Sequence, residues 1–301
     1  RAMVRVRHLV EYYLMAILAI IVRLLPWTTS LRLGDWVGTF TFKVLKVRRW
    51  VTLQNLRRAF PEKSPEELNT VAHRAYQNFV KMTIEYIRFP DLTPQKVLEL
   101  VHFPDPSLLE WVRRNGKGAV LVGGHFGNWE LMGAAIRLLG HPEAFLVGEQ
   151  HNKRIDELMN RYRQRMGIKI IHMGAAVRGV IKALREGKFV ALLSDQDAGK
   201  NGTFVTYFGH PASTPKGPAV FSLKTGAPIL FGSAVRYNHT HHRVYLDLAS
   251  PGEEGELSED NIQRLTQTYT SLLEKHVRQY PDHWFWMHRR WKTLPGGVRV
   301  E

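Results

Sequence analysis

The run Gly123-Gly124-His125-Phe126-Gly127-Asn128-Trp129-Glu130 sets an imidazole and a carboxylate behind glycines that let the backbone turn sharply. His125 and Glu130 stand five apart, one more than a single face of a regular helix allows. They meet only if His125 lies in a turn and Glu130 in the first turn of a following helix. A carboxylate then accepts one imidazole N–H while the other ring nitrogen faces a substrate, the division of labour of a general base and its orienting acid. The bland alternative is a structural histidine at a helix start, with Glu130 favouring the positive helix end. Spacing alone leaves both open. The chain has no cysteine and no obvious G-x-S-x-G elbow, so covalent catalysis has no visible nucleophile.

The elements that must position this pair follow from periodicity. From residue 117 onward, short apolar runs alternate with amphipathic stretches: AVLVGG (119–124), AFLVG (144–148), KIIHM (169–173), FVALLSD (189–195), PILFGSAV (228–235) and RVYLDL (243–248). Strand–helix alternation of this kind predicts an α/β fold, a mostly parallel sheet flanked by helices, with its ligands beyond the carboxyl ends of the strands. His125 follows the first such strand. Asp195 ends FVALLSD and can approach His125 if those two strands are neighbours; capping of the following turn is its alternative. Residues 30–100 read as helical, with a capping box at Ser64-Pro65-Glu66-Glu67. A last helix is expected over roughly 258–280.

Residues 9–25, LVEYYLMAILAIIVRLL, form an apolar run broken only by Glu11 and Arg23, with Arg1, Arg5 and Arg7 before it and Pro26 after. As a helix it spans roughly 25 Å, short of the ~30 Å hydrocarbon core. A signal peptide is disfavoured because no small-residue cleavage site follows. A core helix remains the alternative to a membrane anchor or partly inserted helix. The expected organisation is an anchoring helix over 1–28 and one further domain over 29–301, mainly helical to 116 and α/β from 117.

Lys and Arg number 42 against 27 Asp and Glu, a net charge of +15. That surplus suits an anionic membrane surface, an acidic protein or a phosphorylated substrate. Nucleic acid is the poorer fit, since no recognised binding motif is present. Without cysteine, disulfides, iron–sulfur clusters and Cys-ligated zinc are excluded. His239, His241 and His242 read as a hairpin tip rather than a metal site, for no carboxylate sits at ligand spacing there. Trp284, Trp286 and Trp291 read as core or membrane-interface aromatics rather than a substrate wall.

The segment 124–130 resembles the H-x4-[DE] motif of membrane acyltransferases, in particular the late acyltransferases of lipid A biosynthesis. Asn55-Leu56-Arg57-Arg58-Ala59-Phe60-Pro61, Ser194-Asp195-Gln196-Asp197, Phe208-Gly209, Thr214-Pro215-Lys216-Gly217 and Trp286-Met287-His288-Arg289-Arg290-Trp291-Lys292 resemble further blocks of that family, in the same order. The resemblance implies a fold like that of the glycerol-phosphate acyltransferases, a membrane-associated N-terminal helix and no cofactor. It implies fatty acyl transfer from acyl carrier protein to a hydroxyl of a lipid A precursor, at the cytoplasmic face of a bacterial inner membrane. His125 is then the base and Glu130 its partner, with Asp195 as second orienting candidate. Arg161 is the favoured phosphate ligand on an Arg-rich helix that also carries Arg154, while a solvated face is expected for Arg163. Asn128, Lys216 and Arg289, inside the matching blocks, are further substrate-binding candidates. Acyl-CoA as donor, another glycolipid or lysophospholipid as acceptor, and a non-catalytic lipid-binding protein are the competing readings.

Overall fold

The computed structural model describes residues 2–148 and 152–297. Five helices, α1 (Ala2–Leu24), α2 (Trp27–Phe40), α3 (Arg49–Ala59), α4 (Pro65–Ile87) and α5 (Pro94–Leu100), lead into a two-residue strand β1 (Val101–His102) and α6 (Ser107–Asn115). Alternation then begins: β2 (Ala119–Gly123), α7 (Trp129–Leu138), β3 (Glu143–Val147), α8 (Lys153–Arg165), β4 (Lys169–His172), α9 (Ala176–Arg185) and β5 (Phe189–Leu193). A separate hairpin, β6 (Thr203–Tyr207) and β7 (His210–Thr214), precedes α10 (Gly217–Thr225), β8 (Ile229–Tyr237), β9 (His241–Ser250) and α11 (Glu259–Gln279). The sheet order is β1-β9-β8-β2-β5-β3-β4, parallel throughout except where β8 and β9 form an antiparallel pair. The expected α/β fold with a mostly parallel, helix-flanked sheet is therefore the one observed.

Strand periodicity divides the core in two. Leu121, Phe145, Phe189 and Leu230 face a cluster completed by α5, α6 and α7, whereas Val120, Val122, Val190, Leu192 and Ile229 face α9, α10 and α11. Strand β2, buried along its whole length, lies between β8 and β5, so both faces are apolar. Helix α4 opens on the expected capping box: the Ser64 hydroxyl accepts the Glu67 N–H and the Glu67 carboxylate accepts the Ser64 N–H. Its buried Leu68, Ala72, Ala75 and Tyr76 pack with Phe42, Leu56, Ala59 and Phe60 into a third cluster that reaches Trp284 and Trp286.

Helix α1 starts seven residues earlier than its apolar run. Among its described side chains only Ala19 and Val22 are buried, against Leu31, Ile84 and Ile87. Arg88 ties down its end by donating to the Leu25 carbonyl (2.7 Å), and the Arg23 guanidinium chelates Asp91. Tyr13, Ile17, Ile20, Ile21 and Leu24 form an exposed stripe at helical spacing, with Leu24 80% exposed. The described side chains of α1 are thus not those of a core helix. No helix among the described residues is long and apolar enough to cross a membrane. Arg1 and the side chains of Arg5, Arg7 and Glu11 lie outside the described residues.

Candidate active site

His125 sits in the turn between β2 and α7, at the carboxyl end of the central strand. Two glycines make the turn possible. At Gly127 (φ +58°) a Cβ would fall 1.6 Å from the Ala234 carbonyl oxygen, and at Gly124 one would crowd Asp195 Oδ2 at 3.1 Å. Asn128 caps α7, its side-chain oxygen accepting the Leu131 N–H at 2.9 Å. Because β5 pairs with β2, Asp195 arrives beside the turn, as the sequence suggested it could. Its Oδ1 lies 2.7 Å from His125 Nδ1, and its Oδ2 accepts the His125 backbone N–H (2.7 Å) and Trp284 Nε1–H (2.8 Å). Burial pushes the Asp195 carboxyl up, but His125 and these donors outweigh it and hold it below the ordinary value. The imidazole is 27% exposed and Asp195 2%, so one nitrogen is locked while the ring stays reachable.

Glu130 does not hold the imidazole. Its first-turn position turns it away, and it pairs instead with Arg163, whose Nε–H donates to Oε2 at 3.0 Å, and with Trp129 Nε1–H at 3.2 Å. This corrects two expectations: the carboxylate hydrogen-bonded to the imidazole is Asp195, and Arg163 is not on a solvated face. The Arg163 side chain is 11% exposed, sandwiched toward the Tyr86 and Phe145 rings. Burial alone would lower its pKa; Glu130 reverses that. The Glu130–Arg163 pair fixes Trp129, whose ring meets His125 edge-on at 5.1 Å. Glu130 thus reaches His125 through Trp129.

The other candidates separate by exposure. Asn128 is fully buried, and its Nδ2 donates to Glu85 Oε2 at 2.7 Å, so both its polar atoms are occupied and its expected substrate contact is replaced by a structural one. Arg154, Arg161 and Arg289 are exposed. Lys216 is part-exposed, 3.8 Å from Glu259. The neighbour of Arg289 is the inward one: Arg290 is 1% exposed and donates to the Ser213 carbonyl at 2.6 Å. Trp284, Trp286 and Trp291 are all core. His242 leaves the hairpin tip to meet Glu85 at 3.1 Å, and no metal-ligating cluster occurs among the described residues.

The sequence blocks singled out above are one assembly in space. Asn55 Nδ2 donates to the carbonyls of Trp286 (2.8 Å) and His288 (2.6 Å), bringing α3 to the C-terminal segment. That segment zips onto the His125 turn through Phe285 N–H to the His125 carbonyl (2.9 Å) and Gly127 N–H to the His283 carbonyl (2.8 Å). Asp197 accepts the Thr293 hydroxyl at 2.9 Å, and its own N–H donates to His288 Nε2 at 3.1 Å. Burial lowers the His288 pKa to about 4, keeping that nitrogen an acceptor. All these contacts hold the His125–Asp195 pair from behind.

In front of the pair lies a cavity of about 590 Å³, bordered by His125, Trp129, Glu130 and Arg163 and otherwise mainly apolar: Leu121, Met132, Phe145, Leu146, Met159, Leu193 and Phe221. It includes Glu143, which pairs in register with Phe189 and so lies level with Ala119, at the amino ends of the strands. Gly123, four residues on along β2, also lines it, so the cavity runs ~13 Å or more along the sheet. Glu143 is 2% exposed, and neither carboxyl oxygen has a hydrogen-bond partner among the described residues. Burial first, and then Glu130, raises its pKa well above the ordinary value, which favours the neutral acid. Ser194, whose hydroxyl also lacks a partner there, lines the wall near His125.

The arrangement places an imidazole with one nitrogen held by Asp195 at the mouth of a long apolar slot. Comparison with known proteins bears on the family. The model of the bacterial lipid A biosynthesis acyltransferases matches residues 2–293. The lipid A biosynthesis palmitoleoyltransferase of Escherichia coli K12 is 26% identical over 91% of this chain and 88% of that protein. The lauroyltransferase of the same organism is 26% identical over 99% and 96%. A phosphatidylinositol mannoside acyltransferase of Mycolicibacterium smegmatis is 22% identical over 77% and 74%. With nearly its whole length matched, the chain belongs to the bacterial lipid A biosynthesis acyltransferase family and is an acyltransferase.

Proposed function

We propose that this enzyme moves a fatty acyl chain from the thioester of acyl carrier protein to a hydroxyl of a lipid A precursor, with His125 as general base. The observation that carries the reading is the His125–Asp195 pair at the mouth of the apolar cavity. The acyl chain lies in the cavity with its thioester carbon at the His125 end. His125 takes the acceptor hydroxyl proton as its oxygen attacks that carbon, and Asp195 stabilises the imidazolium so formed. Collapse of the tetrahedral intermediate expels the carrier thiolate, which takes the proton from His125. Exposed cations of α8, Arg154 and Arg161, suit the acceptor's phosphates.

Membrane association at the cytoplasmic face of a bacterial inner membrane completes the reading, since the donor is a cytoplasmic protein and the acceptor a lipid. The exposed stripe of α1 supports it, as an apolar face too short to span but able to lie in the interface. A second reading, acylation of another glycolipid, is favoured by the relatives named for phosphatidylinositol mannosides, with acyl-CoA as the alternative donor. The two separate in one experiment: purified enzyme with acyl carrier protein or CoA thioesters of several lengths, offered lipid A precursor or phosphatidylinositol mannoside, with products weighed by mass spectrometry. The first reading requires efficient transfer from the carrier protein to the lipid A precursor; transfer confined to acyl-CoA and the mannoside supports the second.

A further inference from the structure

A second pocket, about 530 Å³ and open to solvent, lies at the corner between α2 and α3, lined by Phe42, Lys43, Lys46, Arg49, Asn69, Thr70 and His73. Its lining holds three permanent cations and no carboxylate. The corner is built by a π-turn over Thr41–Leu45 that ends at Lys46 in the left-handed region (φ 52°). Lys43 and Lys46 are exposed. Arg49 is pre-set: its guanidinium stacks 4.5 Å from the Phe42 ring centroid, one Nη donates to Asn69 Oδ1 at 3.1 Å, and its Nε–H has no acceptor among the described residues. His73, held by Thr39 at 2.8 Å, has its pKa lowered by burial first and then by Lys43 and Arg74, with Asp35 opposing.

The surroundings of this pocket are apolar and bare. Trp36, Phe40, Val44, Leu45, Val47 and Trp50 stand on the same corner, the two tryptophans 78% and 62% exposed. Residues 43–50 therefore alternate cations with uncovered hydrophobic side chains. Tryptophan and aliphatic side chains enter the interfacial zone of a bilayer, and Lys or Arg beside them meets the phosphate layer. An acidic carrier protein would engage the cations but leave these apolar groups against a polar partner.

We propose that the Lys43–Lys46–Arg49 pocket binds the phosphate of an anionic phospholipid headgroup, while Trp36, Phe40, Leu45 and Trp50 dip into the same leaflet. The site is a second attachment point, separate from α1, and rests on the membrane association proposed above. Two attachment points fix the rotation of the protein on the membrane, which one helix stripe cannot.

The test uses the full chain and sedimentation with vesicles of phosphatidylcholine alone or of phosphatidylcholine mixed with phosphatidylglycerol. Wild type is expected to bind the anionic vesicles at least about ten-fold more tightly. Lys43→Gln with Lys46→Gln should abolish most of that preference, keep binding to neutral vesicles, and leave turnover in neutral detergent unchanged. Trp36→Ser with Trp50→Ser should weaken binding to both vesicle types. Inorganic phosphate should compete weakly, at millimolar concentration; complete displacement by micromolar phosphate would mean a soluble anion is the ligand and overturn the headgroup assignment. A lysine pair variant that keeps the lipid preference, or that changes only the KM for acyl carrier protein, also overturns it. Binding of wild type to neither vesicle would instead overturn the membrane association itself, and this site with it.

Discussion

Asp195→Asn is the sharpest probe of how the imidazole is held. The substitution keeps size and shape, so its effect can be worked out atom by atom. The Oδ2 position faces two fixed donors, the His125 backbone N–H and the Trp284 indole N–H. The amide must therefore put its carbonyl oxygen there, which aims its NH2 at His125 Nδ1, 2.7 Å from the present Oδ1. Two donors cannot face each other at that distance, so Nδ1 gives up its proton and the ring proton moves to Nε2. The nitrogen needed as base is then blocked, and the negative charge that would steady the imidazolium is gone. In a hydrolytic triad the equivalent change costs about 10⁴-fold in kcat. Here the ring is 27% exposed, so water can partly reorient it, and a loss of ~10³-fold, about 4 kcal/mol, is expected. Initial rates of acyl transfer measure it, with thermal unfolding as the control for folding. A well-folded Asp195→Asn protein within ten-fold of wild type would refute the assignment of Asp195.

Three further outcomes follow from the buried charges. Arg163→Ala leaves the 3% exposed Glu130 without its cation and should cost about 3–5 kcal/mol in denaturant unfolding, while Arg161→Ala should leave stability unchanged and raise the acceptor KM; the reverse ranking would contradict the placement of both. Glu85 is fully buried between Arg236 (2.6 Å) and His242, so Glu85→Ala, which strands Arg236, should destabilise by a similar amount. Glu143 has a folded pKa raised above its ordinary 4.5, so the unfolded chain loses this proton first and wild-type stability falls as pH rises beyond that value. Glu143→Gln lacks that slope, and its stability relative to wild type should improve between pH 4.5 and 8, a trend whose absence would show that Glu143 ionises freely.

Periodicity exposed the seven-stranded sheet because each of its strands from 119 to 248 is a short apolar run between breakers. The hairpin β6–β7 stayed hidden, since TFVTY and HPAST are short and lie among glycines and polar residues. Asp195 was legible only as a conditional neighbour of His125, since both follow apolar strand runs, while the β2–β5 pairing that joins them is seen only in the fold. Glu130 misled because its distance in sequence is short while its direction is set by the first turn of α7. Arg163 lies three and four residues from Asn160, Met159 and Met166, all inward or part-buried, so helical phasing could have found it; its charge drew attention to solvent instead. Glu143 left a weaker signal, a charged residue opening a buried strand. Trp284 gave none, since its indole becomes a ligand of Asp195 only when the C-terminal segment folds back on the turn.

The central claim, that His125 activates the acceptor hydroxyl, is tested most directly by single-turnover acyl transfer. Wild type and His125→Ala would each be mixed in excess with acylated carrier protein and lipid A precursor, and the acylated product followed by mass spectrometry. Loss of a general base predicts a rate at least ~100-fold lower in a protein that still unfolds cooperatively, with stability lowered because the buried Asp195 loses a partner. A His125→Ala enzyme that forms the ester at close to the wild-type rate would contradict the account.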